Sequence, residues 1–396
     1  MVGGNRKTSI WIIIPCLMVV YLVLAWSFTS HQQRNTSLGK QYKLISTGMS
    51  RTENSSTTEE QPKVKVTHQH SWKTEKPCKP FRKFIYIKTM KTGSSTLACI
   101  LFRYGLKNGL IAALQQRAGA RIVYRASSEN YNILQYDCKN FQGYDFIANH
   151  IFYHRAAMEN IVKDAKYITI LRSPYTRLRS KFFYSNKYRH YIDPASEPNP
   201  LLAFLKLLER SGSTEQDCCC VSLEANDLSR RLGVCATNRE DLTDNIQQLD
   251  RELDLVLLTE YYDESLILLK KLMCWEFEDI VYHSQKIYKN PLPPITSKMK
   301  SIVDKISIAD LQLYNHFNKT FWEKVKNYDG DFEADLAEFR NIKKKVTEKC
   351  ENAPTSQYCN LLFMDTLPTT RLIYDKQLKF LCTNPKNDSD LLHTGK

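Results

Sequence analysis

Apolar residues fall along this chain in three regimes. Ile10–Phe28 is an unbroken run of 19 residues without a charge. Thr29–Pro77 is polar, rich in Ser, Thr, Lys and Gln, with little apolar periodicity. From Phe81 to about Lys345, short apolar runs alternate with amphipathic stretches. The runs Lys83–Lys88 (KFIYIK), Tyr144–Ala148 (YDFIA), Tyr167–Leu171 (YITIL) and Leu253–Leu258 (LDLVLL) predict buried strands. Between and after them, helical spacing predicts helices over Ser95–Leu106, Arg155–Lys163, Tyr175–Arg189 and Glu264–Met273. In the first of these, Leu97, Ile100, Leu101 and Tyr104 share a face. Strands that alternate with helices predict an α/β domain, a P-loop-like parallel sheet flanked by helices, over residues 81–345. No internal repeat is present.

The 19-residue run is long enough to cross a bilayer. At ~1.5 Å per residue a helix of that length spans ~30 Å, the hydrocarbon thickness. It exceeds a signal-peptide core of roughly 7–15 residues, and Ala25-Trp26-Ser27 makes a poor cleavage site. The expectation is one uncleaved transmembrane helix at residues 10–28, behind a cytoplasmic tail at 1–9. A flexible stem at 29–80 then leads into the folded domain, and a cysteine-containing extension occupies 346–396. Basic residues flank the span on both sides, Arg6 and Lys7 before it and Arg34, Lys40 and Lys43 after it, so their count does not orient it. Four N-x-S/T sequons (Asn35, Asn54, Asn318, Asn387) and eleven of the twelve cysteines follow the span. That places the bulk of the chain in a secretory lumen, as a type II membrane protein.

Eleven is odd, so at least one lumenal cysteine is free or pairs between chains. Cys218-Cys219-Cys220 with Cys235 lacks both CxxC spacing and a histidine cluster, which favours disulfides over a metal. Composition is that of a globular protein, 42% hydrophobic and 25% charged. Lys and Arg number 56 against 42 Asp and Glu, a net charge of +14 that favours an anionic partner without naming one. Nucleic acid is disfavoured, because the chain is lumenal and carries no recognition motif.

The first predicted strand ends in Lys88-Thr89-Met90-Lys91-Thr92-Gly93-Ser94-Ser95-Thr96, and a helix follows. Strand, small-residue loop and helix N-terminus form a cradle for phosphate, with backbone N–H groups aimed at the anion. Gly93 permits close approach, Lys88 and Lys91 add charge, and Thr92, Ser94, Ser95 and Thr96 add hydroxyls. The loop is not a Walker A motif, since its lysine precedes the glycine and the second glycine is absent. A helix cap after a strand is the plain structural alternative. The third strand ends in Arg172-Ser173-Pro174, and Ser180 follows on the next helix. An arginine there can fork onto a phosphate, which together with the first loop points to a ligand with phosphate at both ends.

A Lys-Thr-Gly-(Ser/Thr) loop followed by Leu-Arg-x-Pro and a serine resembles the PAPS-dependent sulfotransferases. The segments Phe84–Phe102, Ile147–His150, Tyr167–Pro174, Leu253–Tyr282 and Leu313–Val325 are similar to the galactose 3-O-sulfotransferase family. The resemblance implies a sulfotransferase fold, PAPS as sulfuryl donor without a metal, and a galactose-terminated glycolipid or glycan as acceptor. It also implies a Golgi membrane location. Under it the first loop binds the 5′-phosphosulfate, and Arg172 and Ser180 bind the 3′-phosphate. That family carries His-Lys-Thr where this chain has Met90-Lys91-Thr92, and methionine cannot exchange a proton.

Deprotonating a sugar hydroxyl near neutral pH calls for a histidine, and His150 follows the second predicted strand in Ala148-Asn149-His150. It resembles the family's Asn-His pair. His154 is a weaker candidate, and Glu260 sits in a family-like stretch without an assigned role. The expected reaction is in-line displacement at sulfur, with His150 as base and Lys91 beside the departing phosphate. Two alternatives stay open: another acceptor such as a glycosaminoglycan uronic acid, and a binding module with weakened catalysis, suggested by Met90.

Overall fold

The four apolar runs become four parallel strands of one sheet. The computed structural model describes residues 78–115, 124–125, 130–185, 192, 197–210, 225–234, 239–286, 292–352 and 356–382. All of them lie in the second of two compact units, Glu75–Lys396. The expected transmembrane helix, the expected stem up to residue 77, Cys218 to Cys220, Cys235, and the sequons at Asn35, Asn54 and Asn387 lie outside the described residues, while the last three residues of that stem are described, with Cys78 bonded to Cys274. Among the described residues no helix is long and apolar enough to cross a membrane.

In chain order the strands are β1 (Phe84–Ile87), β2 (Tyr124–Arg125), β3 (Asn130–Tyr131), β4 (Phe146–Ile147), β5 (Lys166–Leu171) and β6 (Leu255–Leu258). The main sheet runs β4-β1-β5-β6, all parallel, while β2 and β3 pair antiparallel. Every residue of β1, β4 and β6 is buried, which is why these strands read as unbroken apolar runs: a parallel sheet is covered on both faces.

The helix Ser94–Lys107 follows β1 and buries nearly its whole length. It seats closely because Gly105 lacks a side chain: a Cβ there would fall 2.6 Å from the Phe146 ring. The helices Gln357–Phe363 and Thr366–Cys382 pack on it in turn. On the β6 side lie the helices Tyr262–Met273 and Ile308–Lys326, and Phe332–Asn352 packs on the former. A second apolar cluster, including Leu178, Phe182, Phe204, Met299 and Val303, joins the helices Pro174–Tyr184, Pro200–Arg210 and Ser297–Ile306.

Several bounds differ from the sequence expectation. The predicted strand Tyr144–Ala148 shortens to Phe146–Ile147. The helix predicted from Tyr175 starts at Pro174 and stops at Tyr184, because Ser185 is extended. The helix from Arg155 ends at Glu159, and the chain then turns through Asp164 at φ 55°. Asn318, one of the four sequons, sits inside the helix Ile308–Lys326 with its Oδ1 shut away from solvent.

Three disulfides fix the outer layers: Cys78–Cys274, Cys138–Cys382 and Cys350–Cys359. Cys99 is the free cysteine among the described residues; it is buried, and burial pushes its thiol up to about 11. A thiol so far from ionising at neutral pH is chemically quiet.

Candidate active site

The carboxyl ends of the strands open into a cleft of about 710 Å³. Such a position, outside the ends of parallel strands, is where open α/β sheets bind ligands. The loop after β1 forms its floor. Two residues in that loop take the left-handed conformation, Lys91 at φ 63° and Gly93 at φ 69°. Gly93 caps the helix Ser94–Lys107, and a Cβ on it would stand 3.0 Å from the Tyr262 ring. Tyr262 in turn donates its hydroxyl to the Gly93 carbonyl at 3.2 Å.

The loop is stitched to its neighbours through side chains. Thr89 donates to the Ile170 carbonyl of β5 at 2.6 Å and lies 2.8 Å from the Thr92 hydroxyl. Ser94 donates to the Thr89 carbonyl at 2.5 Å. The Thr259 hydroxyl lies 2.8 Å from the carbonyls of both Thr92 and Leu171, joining the ends of β1, β5 and β6. Arg172 donates through Nη1 to the Lys91 carbonyl at 3.1 Å and through Nε to the Thr176 hydroxyl at 3.0 Å. The two phosphate elements read from the sequence are thus in direct contact.

Of the predicted site residues, Lys88, Lys91, Gly93, Ser94, Ser95, His150, Arg172 and Ser180 all line the cleft. Thr92 and Thr96 do not. Thr92 is buried against Thr89, and the Thr96 hydroxyl accepts from the Gln285 backbone N–H at 2.9 Å. Their hydroxyls hold the loop instead of facing the cleft.

Five cations line this cleft, Lys88, Lys91, Arg172, Arg179 and Lys286, with no carboxylate among the described lining residues. Burial first, and then Lys286, lowers the Lys88 ammonium to about 8; burial, then Arg172, Lys181 and Lys286, lowers Lys91 to about 8. Cations crowded enough to repel one another make a site that binds an anion. Lys88 donates to Ser95 at 3.4 Å, and the Lys91 ammonium rests 3.6 Å from the centre of the exposed Tyr184 ring.

One contact of His150 bears on its tautomer. Its Nδ1 lies 3.1 Å from the Lys88 carbonyl, which can only accept, so Nδ1 carries the hydrogen and Nε2 is the basic nitrogen. His154 is placed differently: its Nδ1 accepts from the Ala157 N–H at 3.3 Å and caps the helix Arg155–Glu159. Glu260 accepts from the Ser173 N–H at 2.9 Å, from Thr176 at 3.2 Å and from Tyr314 at 3.1 Å. It holds the Arg172 turn in place. Met90 accepts from the Arg231 guanidinium at 3.0 Å, and Arg231 is paired with Asp227 at 2.8 Å. A neutral thioether suits a position beside a buried cation, where an imidazole would be held unprotonated.

Sequence reasoning did not single out Gln115, Arg179, Tyr184, Lys286, Thr366, Leu367 or Thr370, all of which line the cleft. Arg179 was readable, since it lies beside Ser180 on the helix that follows Arg172. Tyr184 ends that same helix, and the others come from segments without a motif.

The galactose-3-O-sulfotransferase family description matches residues 3–357 of the chain. Mouse galactosylceramide sulfotransferase is 30% identical over 278 residues, 69% of this chain and 65% of the relative. Bovine galactose-3-O-sulfotransferase 3 is 28% identical over 291 residues, 67% of this chain and 63% of the relative. Mouse galactose-3-O-sulfotransferase 2 is 24% identical over 254 residues, 62% of this chain and 63% of the relative. The matched part of the chain thus spans just under two thirds of the length of these relatives. The family match runs through every strand of the sheet, the anion loop and the Arg172 turn, and this chain belongs to the galactose-3-O-sulfotransferase family.

Proposed function

We propose that the protein is a carbohydrate O-sulfotransferase that uses PAPS to sulfate the 3-hydroxyl of a terminal β-galactose on a glycolipid or glycan. The observation that carries this reading is the junction of two phosphate elements and a tautomer-fixed histidine in one cationic cleft. The names of the relatives, galactosylceramide sulfotransferase and galactose-3-O-sulfotransferase 3, support the acceptor. The sequons and the apolar run at residues 10–28 support a single-pass type II protein of the Golgi membrane.

The fit to the nucleotide is electrostatic and steric. Five cations suit a ligand with anionic groups at both ends, and about 710 Å³ holds a nucleotide beside a sugar ring. When bound, PAPS supplies an activated sulfuryl group on a phosphate leaving group. Lys88, Lys91 and Ser95 would hold the phosphosulfate end. Arg172, Arg179 and Ser180 hold the 3′-phosphate. His150 Nε2 takes the proton of the sugar hydroxyl, while the Lys88 carbonyl steadies the imidazolium that results. With PAPS bound, the Lys91 charge would offset the negative charge that the leaving phosphate gains.

The test is incubation of the full chain in detergent with ³⁵S-labelled PAPS and a panel of lactose, galactosylceramide, lactosylceramide and desulfated chondroitin. Label at the 3-hydroxyl of galactose is the expected result. Label confined to chondroitin would overturn the acceptor. Failure to bind 3′,5′-ADP would overturn the reaction class.

A further inference from the structure

The sheet sets the cleft's side chains in a row along its carboxyl edge. Thr259 follows β6, Arg172 follows β5, the Lys88–Ser95 loop follows β1, and Asn149 and His150 follow β4. Beyond β4 the chain adds one more parallel bridge, Ala112 to Phe146, with Ala113 N–H donating to the Phe146 carbonyl at 2.8 Å. Gln115 lies three residues past that bridge. The row therefore begins with Gln115, Asn149 and His150, passes through the Lys88–Ser95 loop and Arg172, and ends at Thr259. With the nucleotide on the Arg172 side, the base faces an acceptor on the Gln115 side.

Both amides at that end are buried, Gln115 to 7% exposure and Asn149 to 9%. Each has a buried polar atom without a hydrogen-bond partner among the described residues, Gln115 Oε1 and Asn149 Nδ2. Buried amides are nearly always satisfied, because an unmade bond costs the full desolvation of the group. Two such atoms in one cleft, one from an acceptor and one from a donor, mark a place where a ligand completes the bonding. A carbonyl oxygen takes a hydroxyl hydrogen and repels a carboxylate.

The helix Thr366–Cys382 walls this end. Gln377 grips the backbone of Ala112 twice, accepting from its N–H at 3.0 Å and donating to its carbonyl at 3.1 Å. Two turns earlier on the same face comes Thr370, and then Thr366; both line the cleft together with Leu367. Cys138–Cys382 fastens the far end of the helix. Leu367 is 39% exposed, an apolar surface against which the C–H face of a sugar can rest.

We propose that Gln115 and Asn149, walled by the helix Thr366–Cys382, form the acceptor subsite and select a neutral hexose through its hydroxyls. This assignment rests on the sulfotransfer reading of the cleft. Gln115 Oε1 accepts from one sugar hydroxyl and Asn149 Nδ2 donates to another, setting the hydroxyl between them and His150.

The test uses the full chain in detergent with saturating 3′,5′-ADP. Lactose binding is followed by saturation-transfer NMR, and KM and kcat are measured for lactose sulfation. Gln115→Met and Asn149→Leu keep side-chain volume, and each should weaken lactose binding and raise KM roughly tenfold. Affinity for 3′,5′-ADP should stay at the wild-type value, which also reports that the site is folded. Leu367→Ala, at a partly exposed position, should raise the lactose KM several-fold without affecting the fold. Wild-type lactose sulfation with unchanged KM in all three variants overturns the subsite and leaves the reaction standing. A wild type that binds 3′,5′-ADP and desulfated chondroitin but no lactose overturns both the neutral-hexose assignment and the galactose reading.

Discussion

Nucleotide affinity should fall steeply as pH rises past 8. Lys88 and Lys91 are both lowered to about 8, chiefly by burial and then by neighbouring cations. An anionic ligand reverses those neighbours' effect and restores both ammonium groups, so binding above pH 8 must take up protons. For one lysine the apparent association constant falls by a factor of 1 + 10^(pH − 8), about tenfold between pH 7 and pH 9. With two lysines the loss approaches about a hundredfold. The ligand does not contribute, because phosphate monoesters complete their second ionisation near ~6. The same depression acts in the opposite sense on the empty protein. The unfolded chain holds its lysine protons up to about 10.5 and the folded one releases them from about 8, so these groups add stability as pH climbs between those values. Calorimetry of 3′,5′-ADP binding across this range, in buffers of contrasting ionisation enthalpy, measures both the affinity and the proton uptake. Lys91→Ala should weaken binding and halve the logarithmic slope. An affinity that stays flat from pH 7 to pH 9, with no proton uptake, would refute the reasoning.

His150→Ala should cut sulfate transfer by about 10²–10⁴-fold while 3′,5′-ADP affinity is retained, as single-turnover kinetics and calorimetry will show. Gly93→Ala forces a side chain into the left-handed region and toward Tyr262, which costs about 1–2 kcal/mol and should lower the thermal midpoint by a few degrees. Arg172→Ala should weaken 3′,5′-ADP by roughly tenfold to a hundredfold, the range for a hydrogen bond to a charged group. Glu260→Ala frees the Ser173 N–H and the Thr176 hydroxyl that shape the Arg172 turn, so nucleotide affinity should drop several-fold with the transfer rate of the bound complex little changed.

The strands were legible because burial on both faces leaves an unbroken apolar run, as in Tyr167–Leu171. That the loop after β1 and the Arg172 turn would meet at one place was legible because the loop's residues are consecutive and the turn repeats the same strand-to-helix pattern. Thr92 and Thr96 show the limit of composition: a hydroxyl in a phosphate-type loop is indistinguishable in sequence from one that bonds the loop to its neighbours. Gln115, Lys286 and Thr370 were not legible at all. They reach the cleft through an isolated bridge, a left-handed turn at Lys286 and a helix packed on the helix Ser94–Lys107, none of which leaves a local pattern. The cysteines beyond residue 345 were visible in the sequence, but pairing such as Cys138–Cys382 depends on a tertiary approach that the sequence does not encode locally.

The Cys138–Cys382 bond also imposes an order in time. Its partners are 244 residues apart, and at ~5–20 residues per second a ribosome needs roughly 10–50 s to make that interval. All four strands of the main sheet, the loop after β1 and the Arg172 turn are complete once Leu258 is made, well ahead of the helix that Cys382 closes. A nascent chain therefore carries the strand ends, the loop after β1 and the Arg172 turn while one flank of the cleft is missing and the Cys138 thiol waits for its partner. The flank that Cys382 closes is therefore the last part of the cleft to be made, and its covalent tie to Cys138 waits on thiol oxidation as well as on translation.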